Sequence, residues 1–329
     1  MIHSDVGLFP RSAEGSGGEV FEGLSDRLGR VSVIIPVRDD PRVRDVVASL
    51  LEQLPPDAEV LVADDGAPGS LPPLPGARIV PVHSGNPGNA RNTAARLAQG
   101  EILLFLDADV VVPPGWIAAA LSIFADRSVA AAQGYSEAVG GDALARRMQA
   151  EYDRFVASHG PTGQSDLCDT RCFGIRREVF ERFHFDVEEP YCEDGALGRR
   201  LFEANIPIRY LPEWRVGHIY TSSALGELSR IRRYAAAATR HFHRTGRDLF
   251  RAPGSEAPRG PGASLLRLCA RWPALGPPLS RLLWLAARAV GAGGKAPGPI
   301  GRGLFSAARR AAVLSARLCR DNGPPPPER

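Results

Sequence analysis

The chain has 329 residues, 44% of them hydrophobic, with 29 prolines and 35 glycines; that is enough apolar mass for a large core, and it is turn-rich without being collagen-like or wholly disordered. The net charge of +3 conceals two unlike parts: residues 1–250 carry 27 basic against 34 acidic side chains, net −7, and residues 251–329 carry 13 against 3, net +10. Such an asymmetry points to two jobs: a main domain over 31–250, preceded by a loose lead-in (1–30) and followed by a basic, Pro/Gly-broken tail (251–329).

The opening "MIHSDVGLFPRSAEGSGGEVFEGL" has neither a basic start nor a long apolar run, so it does not read as a secretory signal. Regularity begins at residue 31. "VSVIIPV" is a continuous β-branched run, "RVRDVVASLLEQL" has helical spacing, and "AEVLVADDG" is a second apolar run ended by acid and glycine. "ARIVPV" (77–82) predicts a third strand, "PGNARNTAARLAQG" (87–100) a helix closed by Gly100, and "EILLFLDAD" (101–109) a fourth strand. Strands that are hydrophobic without alternation, separated by helices, argue for an α/β protein with a mostly parallel sheet covered on both faces. Ligands of such sheets bind beyond the carboxyl ends of the strands. Asp39, Asp64, Asp65, Asp107 and Asp109 all stand at those ends.

Ionised carboxylates gathered at the end of a buried strand need cations or strong donors. A hard divalent cation, magnesium or manganese, suits that oxygen chemistry. Two plainer explanations compete: Asp64-Asp65-Gly66 as a turn former, and Asp107-Ala108-Asp109 as a strand end turning to solvent before Pro113-Pro114-Gly115. The five cysteines are an odd number spread over a long chain, which points to reduced thiols and a cytoplasmic protein. Cys168, Cys172, His184 and Cys192 could surround a zinc ion, but their spacing matches no common zinc framework.

The segments "VSVIIPVRDD", "VLVADDGAPGS", "GNPGNARNTAARLAQGEILLFLDADVVVPPGW" and "YCEDGALGRRLFEANIPIRYLPEWRVGHIY" resemble, in order, the successive signatures of the family 2 glycosyltransferases. The resemblance runs over roughly residues 31–245. It implies the GT-A fold, a Rossmann-like, mostly parallel sheet flanked by helices, and inverting transfer of a sugar from a nucleoside-diphosphate-sugar to an acceptor hydroxyl. Such chemistry needs a grip on the nucleotide, a cation on the departing diphosphate and a base for the acceptor. By resemblance, Pro36, Val37, Asp39 and Asp65 meet the nucleotide, and Arg91, near a helix start that favours anions, contacts it too. Asp109 resembles the direct metal ligand, with Asp107 on ribose or metal-bound water and His218 near the metal. Asp194 resembles the catalytic base, with Glu193 in support. One departure stands out: where the family commonly has Ser-x-Asp after Asp-Asp-Gly, this chain has Ala67-Pro68-Gly69. The segment 163–180, with Asp169, Arg171 and Cys172, is expected to shape the acceptor site; Trp214 is expected either to stack on a sugar or to be buried.

After residue 223, "LGELSRIRRYAAAATRHFHRTGRDLF" places Leu225, Leu228, Ile231, Tyr234, Ala238 and Phe242 on one face of an amphipathic helix. The basic segments beyond it never reach ~20 uninterrupted apolar residues, so a spanning helix is not expected. Their arginines with Trp272, Trp284 and Phe305 suit an anchor lying on an anionic membrane surface through 263–320, at the inner face of the cell membrane. The tail is poor in polar and aromatic base-readers, so nucleic acid is not an expected partner. Among rivals, a nucleotidyltransferase would need a Gly-rich phosphate loop and a dehydrogenase Gly-x-Gly-x-x-Gly after the first strand; "IIPVRDD" has neither. A non-catalytic nucleotide-sugar-binding scaffold would not need Asp194.

Overall fold

The computed structural model describes residues 30–140, 143–159, 165–188, 190–220, 223–246, Leu249, 276–292 and single positions between 307 and 314. The expected lead-in, and Trp272 and Phe305 of the tail, lie outside the described residues. Along the chain run β1 (Val31–Val37), α1 (Val43–Leu51), β2 (Glu59–Asp64), β3 (Arg78–Pro81), α2 (Pro87–Leu97), β4 (Ile102–Phe105), β5 (Val110–Val111), α3 (Trp116–Ala125) and β6 (Ala131–Ala138). They are followed by α4 (Ala143–His159), β7 (Phe173–Arg176), α5 (Arg177–Phe183), α6 (Glu193–Glu203), β8 (Ile208–His218), α7 (Ala224–Thr245) and α8 (Gly276–Ala292).

Eight strands form one sheet in the order β3-β2-β1-β4-β7-β6-β8-β5. β3, β2, β1 and β4 are parallel, as are β6 and β8, while β7 runs antiparallel between β4 and β6. The continuous apolar runs have a simple cause. Val33 and Ile35 of β1, Val60 and Val62 of β2, and Leu104 of β4 enter one core with α1 and α3. Their neighbours Ile34, Leu61, Leu103 and Phe105 enter a second core with α2, α5 and α6. Side chains alternate across a strand, so a sheet covered on both faces needs apolar residues at every position.

Some boundaries differ from expectation. Helix α2 ends at Leu97, because Ala98 is already extended (ψ 151°). Gly100 does not cap it; a Cβ there would stand 2.5 Å from the Ser32 nitrogen, so the glycine lets the chain pass against β1. Strand β4 stops at Phe105, and Ala108-Asp109 form a turn before the two-residue β5. The aspartate pair therefore sits beyond the strand rather than in it.

Helix α7 is capped by Ser223, whose side chain accepts from the Gly226 amide, and ends at Gly246 in the left-handed conformation (φ 74°). Its buried face includes Leu228, Ala235, Ala238 and His241. Phe242, expected on that face, is 47% exposed. Helix α8 packs on this region through Ala287 and Trp284, with the Arg232 guanidinium 5.1 Å from the Trp284 ring centre. No described helix is long and apolar enough to cross a membrane.

Candidate active site

A cleft of about 910 Å³ opens beyond the carboxyl ends of the parallel strands. One wall is formed by Pro36 and Val37 at the end of β1, Asp65 after β2, and Ala90 and Arg91 of α2; Asp107–Asp109, His218, Asp169–Arg171 and the start of α6 complete the floor.

Its centre is an ion bridge. Arg91 is 4% exposed; its Nη2 donates to Asp107 Oδ1 and its Nη1 to Glu193 Oε1, each at 2.7 Å. Burial alone would lower the pKa of this guanidinium, but Asp107 and Glu193 outweigh burial and raise it. The bridge is possible because Asn86 caps α2, accepting from the Asn89 amide, with Pro87 in the first turn. At Gly88 a Cβ would lie 3.2 Å from Glu193, so the start of α2 and the first turn of α6 meet closely.

Asp194 follows Glu193 in that turn and faces the cleft half-buried. Its Oδ1 accepts from the Gly195 amide at 2.7 Å. Burial, then the negative charges of Glu193 and Asp169, push its pKa up to about 8. Three residues before Asp194, Tyr191 holds a left-handed backbone (φ 75°), an uncommon conformation for a non-glycine residue that turns the chain into α6.

On the other side of Asp107, which also accepts from Thr170 Oγ1 at 3.3 Å, Asp109 stands beside His218, with Oδ2 3.4 Å from Nε2. Burial works to raise the Asp109 pKa, but His218 and then Arg42, 3.7 Å away, lower it overall. His218 Nδ1 is buried without a hydrogen-bond partner. A carboxylate and an imidazole side by side suit a divalent cation of the manganese type. Among the described residues no three His, Cys, Asp or Glu side chains come close enough to hold a metal by themselves.

The remaining sequence candidates divide. Asp65 lines the cleft and organises its wall, Oδ1 accepting from the Ser84 amide and hydroxyl and from the Gly85 amide. Asp64 accepts from the Gly66 amide at 3.0 Å, which is the turn-forming role. Asp39 is not brought to the cleft: with φ 53° it turns to the loop after β2, where Ser70 and the Ala67 amide hold its carboxylate below the usual range. Trp214 is 2% exposed and stacks on Trp116 with ring centres 5.1 Å apart, so it is a core residue and cannot meet a sugar. Cys172, suggested for the acceptor site, is fully buried against these indoles. Cys168, Cys172 and Cys192 belong to three separate apolar clusters, which rules out the zinc grouping among them. Not singled out from sequence were Thr170, Arg42 and the cleft-facing residues of α4, while Ile231 and Tyr234 of α7 were expected only on the apolar face of that helix.

This arrangement, a Rossmann-like sheet with acids and a histidine around a cleft at the strand ends, has counterparts among known proteins. Residues 32–183 match the family model for glycosyl transferase family 2. An uncharacterized glycosyltransferase of Bacillus subtilis is 27% identical over 56% of this chain and 59% of its own length. The pre-mycofactocin glycosyltransferase of Mycobacterium tuberculosis is 28% identical over 63% of this chain and 46% of its own length. The chain thus spans about half the length of these relatives. Among solved structures, a mannosyltransferase of Pyrobaculum calidifontis in complex with GDP-Man and Mn2+ shares the fold, with TM-score 0.54 and 20% identity over 91% of this chain and 93% of that one. The family 2 glycosyltransferases are thus what residues 32–183, just under half of the chain, are similar to. The matched segment ends before Asp194 and His218.

The raised Asp194 pKa has a signed consequence. The folded chain holds a proton there at pH values where the unfolded chain has released it, so this group favours folding below its ordinary pKa of 3.8 and the benefit is lost as pH rises through about 8. Asp194→Asn, which never ionises, should match wild type in stability near pH 4 and exceed it at pH 9 by at least about 1 kcal/mol, or roughly 2–4 °C in thermal unfolding. A difference independent of pH would contradict the assignment.

Proposed function

We propose that this protein is an inverting glycosyltransferase that moves a sugar from a nucleoside-diphosphate-sugar to an acceptor hydroxyl, with Asp194 as general base. The observation that carries this reading is Asp194, facing the same cleft as Asp107 and Asp109, with its proton affinity raised by burial and then by Glu193 and Asp169. A base with a pKa near working pH suits proton removal from a hydroxyl. Pro36, Val37 and Asp65 form the wall for the nucleotide. Arg91, bonded on both sides, acts as a positioning residue: it fixes Asp107 toward the donor and Glu193, hence Asp194, toward the acceptor. Asp109 and His218 would hold a divalent cation. When bound there, manganese or magnesium supplies neutralisation of the charge that grows on the leaving diphosphate. The fold-mate from Pyrobaculum, solved with GDP-Man and Mn2+, supports both the donor class and the cation.

The basic C-terminal region fits a second contact, with an anionic membrane surface through 263–320. On α8, Leu282 and Leu285 are 63% and 62% exposed, on the side opposite the buried Ser280 and Ala287. Arg281 and Arg288 flank them, also exposed. That is the arrangement of a helix lying in a lipid interface.

Two measurements follow. Asp194→Asn should lower kcat by about 10²–10⁴-fold with donor affinity essentially kept, whereas Asp109→Ala should weaken manganese-dependent donor binding by at least about tenfold. Near-normal turnover in Asp194→Asn would remove the base from Asp194. For the membrane contact, the protein should sediment with phosphatidylglycerol vesicles and not with phosphatidylcholine, and raising salt or substituting Leu282→Glu should release it. Equal recovery with both lipids would count against it.

A further inference from the structure

The half of the cleft next to Asp194 is built by α4, within the segment matched to the family, and by α7, beyond its end. Met148, Tyr152 and Phe155 follow one another at spacings of four and three on α4, so they share one helix face, and all three line the cleft. Ile231 and Tyr234 of α7 and Leu249 line it as well. Tyr152 and Met148 are largely covered, whereas Phe155 at the rim is 37% exposed. Tyr234 stands close to the proposed base: burial raises its phenol pKa, Arg230 counteracts this, and the charge of Asp194 raises it further.

Charged groups are present in this half, but the wall answers them internally. Arg171 grips Asp169 through Nε and Nη2 at 2.6–3.0 Å, and its guanidinium lies 4.3 Å from the Tyr152 ring centre. Arg230 grips Glu227 in the same two-pronged way, at 2.6 and 2.9 Å, and lies 5.4 Å from the Tyr234 ring centre. Glu151 meets Arg147 at 3.5 Å and Arg154 at 3.9 Å. Arg171 and Arg230, the two guanidiniums of this half that line the cleft among the described residues, are thus bonded to carboxylates, so an anionic acceptor would have to break an existing pair to use them, while an apolar one would only cover side chains already turned to the cleft.

Resting on the glycosyl-transfer reading, we infer that the acceptor is a hydroxyl compound with an apolar aryl or alkyl body, seated between the Met148–Tyr152–Phe155 face of α4 and Ile231, Tyr234 and Leu249. The hydroxyl meets Asp194 and the apolar body extends toward Phe155. Such a body buries apolar area in a pocket continuous with the catalytic cleft, and its contribution grows with each methylene.

The test uses the full chain with Mn2+ and a nucleoside diphosphate, titrated calorimetrically with glucose, phenyl glucoside, and butyl, hexyl and octyl glucosides below their micelle concentrations. Affinity should rise about three- to fourfold per methylene, or rise mainly with the phenyl ring if stacking on the tyrosines dominates; the two arms separate a hydrocarbon acceptor from an aromatic one. Met148→Glu, and the milder Ile231→Ser in case the first does not fold, should flatten that dependence while leaving nucleoside diphosphate binding unchanged. Equal affinity for glucose and octyl glucoside, no binding of any glycoside, or a dependence that survives in the variants would overturn the inference. Nucleotide binding in the same experiments separates the two readings: if nucleoside diphosphate binds and the glycosides do not, the apolar acceptor alone is lost; if neither binds, glycosyl transfer falls with it.

Discussion

A single buried guanidinium joins the parts of this cleft that the chain keeps far apart. Arg91 lies 16 residues from Asp107 and 102 from Glu193, and it bonds both. Removing one member of a buried ion pair leaves an uncompensated charge and costs about 3–5 kcal/mol. The three segments carrying these groups are thus energetically tied: α2, the loop after β4, and the first turn of α6. Once they are tied, the position of Asp194 follows from chain connectivity, because it is the next residue after Glu193.

The same bookkeeping of donors explains why Asp194 differs from its neighbours. Asp64 and Asp65 are served by turn amides and a serine, Asp169 by a two-pronged arginine, and Asp107 by Arg91 and Thr170. Asp194 has the Gly195 amide and, close by, the negative charges of Glu193 and Asp169. A carboxylate whose proton affinity is raised by burial and by like charge is a stronger base once ionised, which suits removal of a hydroxyl proton. Burial and the like charges of Glu193 and Asp169 raise the proton affinity of Asp194, and Arg91, bonded to Glu193 and Asp107, offsets only part of that rise.

Much of the sheet was legible because a strand buried on both faces must be apolar throughout, and Val33, Ile34 and Ile35 show both faces in three residues. The acids at the strand ends were legible for the complementary reason, that carboxylates are costly beside such a core. What could not be read was direction and partnership. Asp39 looked like its neighbours in sequence, but a left-handed backbone turns it to another loop. Gly100 reads as a helix stop, although its reason is a close approach to β1. Trp214 took the buried one of its two expected places, whereas Phe242, expected on the packed face of its helix, stands outside, because a lone aromatic carries no signal of which side its helix or strand presents. The Arg91–Glu193 pair is invisible in a linear reading for want of any local pattern, and the stripe Met148, Tyr152, Phe155 has the spacing of ordinary core packing. Its place in the cleft depends on how α4 lies against the sheet.

The proposed function requires that the cleft around Asp107, Asp109 and His218 be a cation-assisted nucleoside diphosphate site. The most direct measurement is thermal unfolding of the protein against a panel of nucleoside diphosphates, each with and without Mn2+. The account predicts stabilisation by a nucleotide that requires the metal, approaching roughly 2.7 kcal/mol at 100 times the dissociation constant. No stabilisation by any nucleotide at high ligand and metal, or a shift indifferent to Mn2+, would contradict it.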